Sequence, residues 1–342
     1  MTICYFGIYN PDYARSRVLI NGLKQNGINV IECNSRRYGL LKYFDLFRKH
    51  WQIRGKYDFL LVGFPGYQAM VLARALARQP IIFDAFSSLY DSMVFDRRIV
   101  GPKSVRAKYY WFLDWFSCRL ADRIIIDTNA HIGYYMDKFG IKKEKFIRVF
   151  VGADERIMRP VIAESNKDYF LVHFHGSCVP LQGIEYILAA AKILESENIK
   201  FKIIGSKIKK NFKDESLLNV DFLDDAPYGK LPQQMAMADI CLGIFGNTNK
   251  ARRVIPNKVF EALAVGRAIL TGNSPAIREL LVDRENALFC RLADSQDLAD
   301  KIMELKNNSE LRENIAQKGR ELFNQELTSR KIIENLLKEF KI

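Results

Sequence analysis

Short apolar runs alternate with longer amphipathic segments from one end of this chain to the other, and that alternation limits the fold more narrowly than any other feature. An apolar run bounded by turn residues suits a strand buried on both faces, and apolar residues three and four apart suit a helix that covers it. Repeating the two in turn leads to parallel α/β architecture. In the first half, strands are expected at 3–8, 29–32, 57–62, 80–84, 123–127 and 146–150, with helices near 13–26, 39–54, 66–78, 103–121 and 130–139. In the second half, strands are expected at 169–174, 200–204, 220–223, 239–244, 268–271 and 287–290. Helices are expected there near 183–197, 229–238, 257–265, 275–282, 294–307, 309–324 and 327–340.

At 342 residues the chain exceeds a typical domain, and the polar segment 152–167, with Pro160, is the best linker. The expected fold is α/β: two Rossmann-like, doubly wound domains facing a central cleft. The bounds are 1–159 for an N-terminal, acceptor-side domain and 160–324 for a C-terminal, nucleotide-binding domain. A C-terminal helix, 325–342, is expected to pack back on the first domain. Sheets of this kind take ligands at the carboxyl ends of their strands.

No apolar run approaches the roughly 20 residues of a membrane span, and the N-terminus lacks the basic-then-apolar layout of a secretory signal. Six scattered cysteines, none in a CxxC pair, point to reduced thiols and a cytoplasmic location. The net charge of +13 is uneven: residues 1–150 carry 24 Lys and Arg against 12 Asp and Glu, and residues 151–342 carry 28 against 27. The first half therefore faces something anionic. Within it, residues 40–51 and 103–119 mix cations with bulky aromatics at helical spacing, a pattern suited to an anionic membrane surface. No Walker-type loop, zinc spacing or RNA-binding signature accompanies the charge, so nucleic acid is not an expected partner.

The stretch from Arg252 to Thr271 concentrates chemistry: Arg252, Arg253, Lys258 and Glu261 surround the start of a short helix that runs into an apolar strand. Pro256 sets the backbone, and Asn257 is expected to cap the helix. Lys258 and Glu261, three apart, share a face. Cations at a helix N-terminus suit phosphate, and a carboxylate one turn in suits sugar hydroxyls. Together they describe a site for a sugar nucleotide.

Four segments of the second half, in order, resemble the family-four retaining glycosyltransferases (glycosyl transferases group 1), whose fold is GT-B. They are His173 to Ser177 with Pro180 to Ala191, Phe201 to Ser206, Val220 to Leu223 with Leu231 to Ile240, and Arg252 to Thr271 continuing to Leu288. The resemblance implies transfer of a sugar from a UDP- or GDP-sugar to a cell-envelope glycan or lipid-linked acceptor, with no metal, cofactor or covalent nucleophile. Glu261 matches the glutamate that the family uses for the donor ribose, and Asp84 stands where the family often places a polar residue near the reacting sugar. With these, the donor site is expected to comprise Glu261, Lys258, Arg252, Arg253, Gly183, Gln182, Ser177, Gly205, His175 and Arg15, and the reacting centre Asp84, Lys258 and Arg253, the cations Lys258, Arg252 and Arg253 being read from the sequence itself as the diphosphate contacts. Two departures stand out. Arg253 occupies the position of the first of the family's two glutamates, and Ser177 and Gln182 replace its basic pair. A non-catalytic partner subunit and a GT-B epimerase are the alternatives. His173 and His175 are expected on opposite faces of their strand, one toward the cleft and one in the core. Asn129 is expected to cap the helix that follows the strand at 123–127.

Overall fold

The computed structural model describes residues 1–163, 167–215 and 217–339. Positions 164–166 of the expected linker, and 340–342 of the C-terminal segment, lie outside them. The chain forms two compact units: Met1–Asp154 with Thr328–Ile342, and Glu155–Leu327.

The first unit contains strands β1 (Thr2–Gly7), β2 (Asn29–Asn34), β3 (Phe59–Val62), β4 (Ile81–Asp84), β5 (Arg123–Ile126) and β6 (Phe146–Arg148). They form one parallel sheet in the order β2-β1-β3-β4-β5-β6. Its helices are α1 (Ala14–Gln25), α2 (Leu41–Ile53), α3 (Ala69–Leu76), α4 (Val105–Leu120) and α5 (Asn129–Phe139). The middle strands are buried along almost their whole length, which is why they read as continuous apolar runs rather than alternating ones. Helix starts are fixed by side chains: Ser104 Oγ accepts from the Ala107 amide, and Thr128 Oγ accepts from the His131 amide. The cap of α5 is thus Thr128, not Asn129, whose backbone is already helical. Thr128 is extended, as a cap requires, and its hydroxyl reaches the third amide onward.

The second unit contains β7 (Phe170–His175), α6 (Ile184–Ile193), β8 (Ile199–Ile204), α7 (Ser206–Phe212), β9 (Val220–Leu223) and α8 (Leu231–Ala236). These are followed by β10 (Ile240–Leu242), α9 (Asn257–Val265), β11 (Ala268–Gly272), β12 (Leu288–Cys290), α10 (Ser295–Asn307) and α11 (Ser309–Leu322). The strand order β12-β11-β10-β7-β8-β9 is that of a Rossmann sheet, all parallel. Two Rossmann-like α/β units are therefore present. The strand order reverses between β7 and β10, and loops leaving those two strands border the crevice where such sheets bind ligands.

The expected helix at 275–282 is only a single 3-10 turn, Ile277–Glu279, because Leu280 leaves the helical region at φ −126°. The short helix α7 was missed: its seven residues are too few to establish a helical period. After the second unit the chain returns to the first. Ala153 forms a parallel bridge with Thr328, and α12 (Ser329–Glu339) lays Ile332, Ile333 and Leu336 inward. Gly22 of α1 is the contact point: a β-carbon there would sit 2.1 Å from the Ser329 carbonyl oxygen and 2.5 Å from Ile333.

Gly22→Val should therefore push α12 from α1 and lower the unfolding free energy by about 1–3 kcal/mol. Gly133→Ala, where nothing lies within 4 Å, should be neutral or stabilising by up to about 1 kcal/mol. Urea unfolding of both variants checks the pair; equal effects would contradict the packing described.

Candidate functional site

The residues singled out from the sequence separate into two groups. Arg15 and Asp84 lie in the first unit and are both 0% exposed. The Arg15 guanidinium donates to Asp84 at 3.1–3.3 Å through Nε and Nη2, and its Nη1 donates to the carbonyls of Val149 and Phe150. Burial pushes the Asp84 carboxyl above its ordinary pKa, and Arg15 opposes that rise. The expectation that Arg15 touches donor phosphate and Asp84 the reacting sugar is thus corrected. Each satisfies the other in the interior, tying α1 to the ends of β4 and β6.

The remaining residues lie in the second unit. The loop after β7 begins with Gly176 and an exposed Ser177, then makes a 3-10 turn ending at Gly183. Gly183 takes φ +66°, and a β-carbon on it would lie 2.5 Å from the Gly246 nitrogen, in the loop after β10. Phe245 N donates to Gln182 O at 3.1 Å and Gly246 N to Leu181 O at 3.2 Å, so the two loops are pinned together across the point of strand reversal. Gln182 is buried, and its Oε1 accepts from the Cys178 amide at 3.0 Å. Its amide fills the space beside Gly176. Gly205, immediately after β8, packs against the Gly176 carbonyl.

Helix α9 supplies the charged groups. Its N-cap is Pro256, with no side-chain cap, and Asn257 is its first residue, so the expected Asn257 cap is corrected. Lys258 is 5% exposed, and its Nζ sits 3.8 Å from the centre of the Phe174 ring, on β7. A ring face attracts an ammonium but accepts no conventional hydrogen bond. Among the described residues no atom accepts from this Nζ. Burial drives the Lys258 pKa down to about 7, with the Glu261 carboxylate opposing the fall. A buried polar group without a partner costs free energy and calls for an explanation.

One turn further, Glu261 is 4% exposed and its Oε2 lies 2.8 Å from His175 Nε2. His175 Nδ1 lies 3.0 Å from His173 Nε2. The expectation that the two histidines face opposite ways is corrected: residues two apart on a strand share a face. The donor sequence follows from the chemistry of the three groups. Glu261 accepts from His175 Nε2–H, which leaves His175 Nδ1 to accept from His173 Nε2–H. His173 is buried, and burial, then the neighbouring His175, Lys202 and Lys258, holds its pKa well below the ordinary range. It stays neutral, and the tautomers are set from the Glu261 carboxylate inward.

Arg252 is exposed and Arg253 half-buried in the turn that precedes α9; the Arg252 carbonyl accepts from the Ala276 amide. The structure thus brings Lys258, Glu261 and His175 together on α9 and β7, and Gln182, Gly183 and Gly205 together in the adjoining loops. Sequence reasoning overlooked Phe174 and the Phe245–Gly246 loop. The alternation of Phe174 with the two histidines reads as strand patterning, and only the helix packed above it reveals the ring as a seat for Lys258.

Comparison with known proteins follows the same lines. Residues 185–338 match the family model described as glycosyl transferase-like. An uncharacterized glycosyltransferase, MJ1178 of Methanocaldococcus jannaschii, is 22% identical over 235 residues, 65% of this chain and 60% of that protein. The capsular polysaccharide biosynthesis glycosyltransferase CapM of Staphylococcus aureus is 28% identical over 176 residues, 49% of this chain and 45% of CapM. The matched stretches span less than two thirds of either relative. The crystal structure of Anabaena HepE in complex with UDP-glucose is similar across 100% of this chain and 99% of its own, with a TM-score of 0.74 at 16% identity, a likeness of fold.

Because the Lys258 pKa is depressed in the folded state, the unfolded chain binds more protons between about pH 7 and the ordinary lysine value near 10.4, and stability rises with pH across that window. Lys258→Met should remove this rise. The variant should gain stability over the parent at pH 6, and the gain should shrink toward pH 9, by at most about 1.4 kcal/mol per pH unit. Urea unfolding at the two pH values checks it; a gain independent of pH would contradict the buried, unpartnered ammonium.

Proposed function

We propose, for a chain whose family is that of the GT-B glycosyltransferases, that it moves a sugar from a UDP- or GDP-sugar to a cell-envelope glycan or lipid-linked acceptor with retention of anomeric configuration. The observation that carries this reading is the Lys258 ammonium, buried over Phe174 with no hydrogen-bond partner, one turn from a carboxylate oriented by His175.

In this reading the donor diphosphate is the anion that Lys258 lacks. As the bond from the sugar's anomeric carbon to the diphosphate oxygen breaks, negative charge gathers on the leaving group, and a preorganised ammonium stabilises it without reorienting. The bound anion also raises the Lys258 pKa and keeps the group charged. Amides of the Gly183 turn, at the start of α6, face the same need. Arg253 and Arg252 add charge from the turn before α9, in place of the cations replaced by Ser177 and Gln182. Glu261, with Oε2 held by His175, offers Oε1 to the hydroxyls of the donor ribose. The acceptor hydroxyl attacks from the side the diphosphate leaves, and its proton passes to the departing phosphate oxygen; the chain needs neither metal nor covalent nucleophile for this step. The N-terminal unit carries the acceptor.

The acceptor's setting is an anionic membrane surface, approached from the cytoplasmic side. Among the described residues no helix is long and apolar enough to cross a membrane. The basic excess of residues 1–150 and the exposed Leu40, Phe44, Trp51, Val105, Tyr109 and Phe112 favour a peripheral attachment.

A thermal-shift panel of nucleotides tests the site. UDP or GDP at about a hundred times its Kd should add roughly 2.7 kcal/mol of stability. Glu261→Ala and Lys258→Ala should each weaken that nucleotide at least about tenfold, a loss of about 1.4 kcal/mol. Undiminished binding in both variants would remove the two residues from the site. Product analysis then separates the alternatives: a glycoside of unchanged anomeric configuration supports transfer. An epimerised sugar without acceptor points to an epimerase, and binding without turnover to a non-catalytic subunit.

A further inference from the structure

A second charged cavity lies in the first unit, at the carboxyl end of β2. It encloses about 570 Å³ and is lined by Arg36, Arg37, Arg48 and Lys49 with the carboxylates of Asp45 and Glu32. Four cations thus face two anions. Asp45 is the organising group: buried, it accepts from Ser35 Oγ at 2.7 Å, pairs with Lys49 at 3.0 Å, and lies 3.8–3.9 Å from Arg48 and Arg37. The Ser35 hydroxyl, then Lys49, hold its carboxyl below the ordinary pKa, so it stays ionised. Glu32 is engaged elsewhere, accepting from Tyr9 Oη and pairing with Lys24. One buried carboxylate therefore gathers three cations and neutralises one of them. Asp45 needs one cation to balance it, and the largely exposed side chains of Arg37 and Arg48 lie at 3.8–3.9 Å, too far for hydrogen bonds, so their convergence adds little to stability. Converging guanidinium groups are, by contrast, well suited to phosphate oxygens.

The helix that supplies Asp45, Arg48 and Lys49 also carries an apolar stripe. On α2 and the residue before it, Leu40, Phe44, Phe47 and Trp51 recur three and four apart, and Leu41 flanks them. Leu40 is 83% exposed and Phe44 68%, and Phe47 stacks on Trp51 with ring centres 5.8 Å apart. At about 100° per residue the stripe is centred roughly a third of a turn from the cavity-lining residues of α2, while Leu46 and His50 face the core. A soluble anion would need the cations and not the stripe. A lipid with a phosphate head would use both, the head in the cavity and the stripe among the neighbouring acyl chains.

We propose that the cavity formed by Arg36, Arg37, Arg48 and Lys49 binds the phosphate headgroup of a membrane-embedded lipid, with Leu40, Phe44 and Trp51 inserted beside it. This deepens the membrane-surface reading given above and rests on it, but it makes no use of the Lys258 site.

Sedimentation of the full chain with phosphatidylcholine vesicles tests the proposal at about 0.15 M salt, where long-range attraction is screened beyond about 8 Å. The vesicles carry phosphatidic acid, a phosphate monoester, or phosphatidylglycerol, a diester, matched for surface charge. Phosphatidic acid should bind about tenfold more tightly, and Arg48→Gln combined with Lys49→Gln should abolish that preference. Phe44→Ser combined with Trp51→Ser should weaken binding to both vesicles about tenfold or more. Both double variants should keep the parent's nucleotide-induced thermal shift, which establishes that they fold and separates this test from that of the transferase site. Equal binding to the two lipids, or a preference that survives the cavity substitutions, would overturn the proposal. So would stabilisation by inorganic phosphate that requires Arg48 and Lys49 while neither vesicle retains the protein, which would assign the cavity to a soluble anion.

Discussion

The ammonium of Lys258 is placed where the fold itself does not satisfy it, and the C-terminal site takes its character from that fact. The group is enclosed by α9 and by the ring of Phe174, close enough to Glu261 to feel its charge but without a hydrogen-bond acceptor. Such an arrangement lowers stability and is sustained by a rigid surround: the eight residues from Lys258 to Val265 are all buried, and β7, β10 and β11 beneath them are almost wholly so. His175 and His173 complete the surround by holding Glu261 in one orientation through a chain of two imidazoles that ends in the core. A cation left unsatisfied and a carboxylate held fixed are what an anionic polyol ligand would find complementary.

The strand order explains why this chemistry gathers where it does. The strand order reverses between the parallel neighbours β7 and β10, and the Gly183 turn, pinned to Phe245 and Gly246, lies at that switch point. Residues distant in sequence, His175 and Glu261, meet because side chains of α9 reach the end of β7 directly, Lys258 over Phe174 and Glu261 against His175. The first unit, also a parallel sheet but with the strand order β2-β1-β3-β4-β5-β6, puts its charge to a different use. There Arg15, in the first turn of α1, is paired internally with Asp84 at the end of β4, and further cations gather on α2 and at the end of β2.

Much of the architecture was legible because parallel strands buried on both faces leave an unmistakable run of apolar residues, as at Ile81–Asp84 and Arg123–Ile126. The grouping of Lys258 with Glu261 was legible for a comparable reason: a spacing of three on a helix fixes a shared face. What could not be read depended on partners far away in sequence. Arg15 and Asp84 each look like site residues alone, and only their pairing across 69 positions shows them to be interior. Phe174 reads as core until α9 is packed over it. The histidine pair was misjudged for a simpler reason, since strand geometry places alternate residues together. One helix cap slipped by a single residue where two polar side chains, Thr128 and Asn129, stand in succession, and the extended backbone of Thr128 with its hydroxyl bond to the His131 amide decides between them.

The most direct measurement of the central claim is a crystal structure of the chain with UDP or GDP, whichever stabilises it more. The account predicts Lys258 Nζ within about 2.9 Å of a diphosphate oxygen, Glu261 accepting from a ribose hydroxyl, and the His175 contact to Glu261 retained. A nucleotide bound away from α9, or a diphosphate in the crevice with Lys258 still unpaired over Phe174, would contradict it.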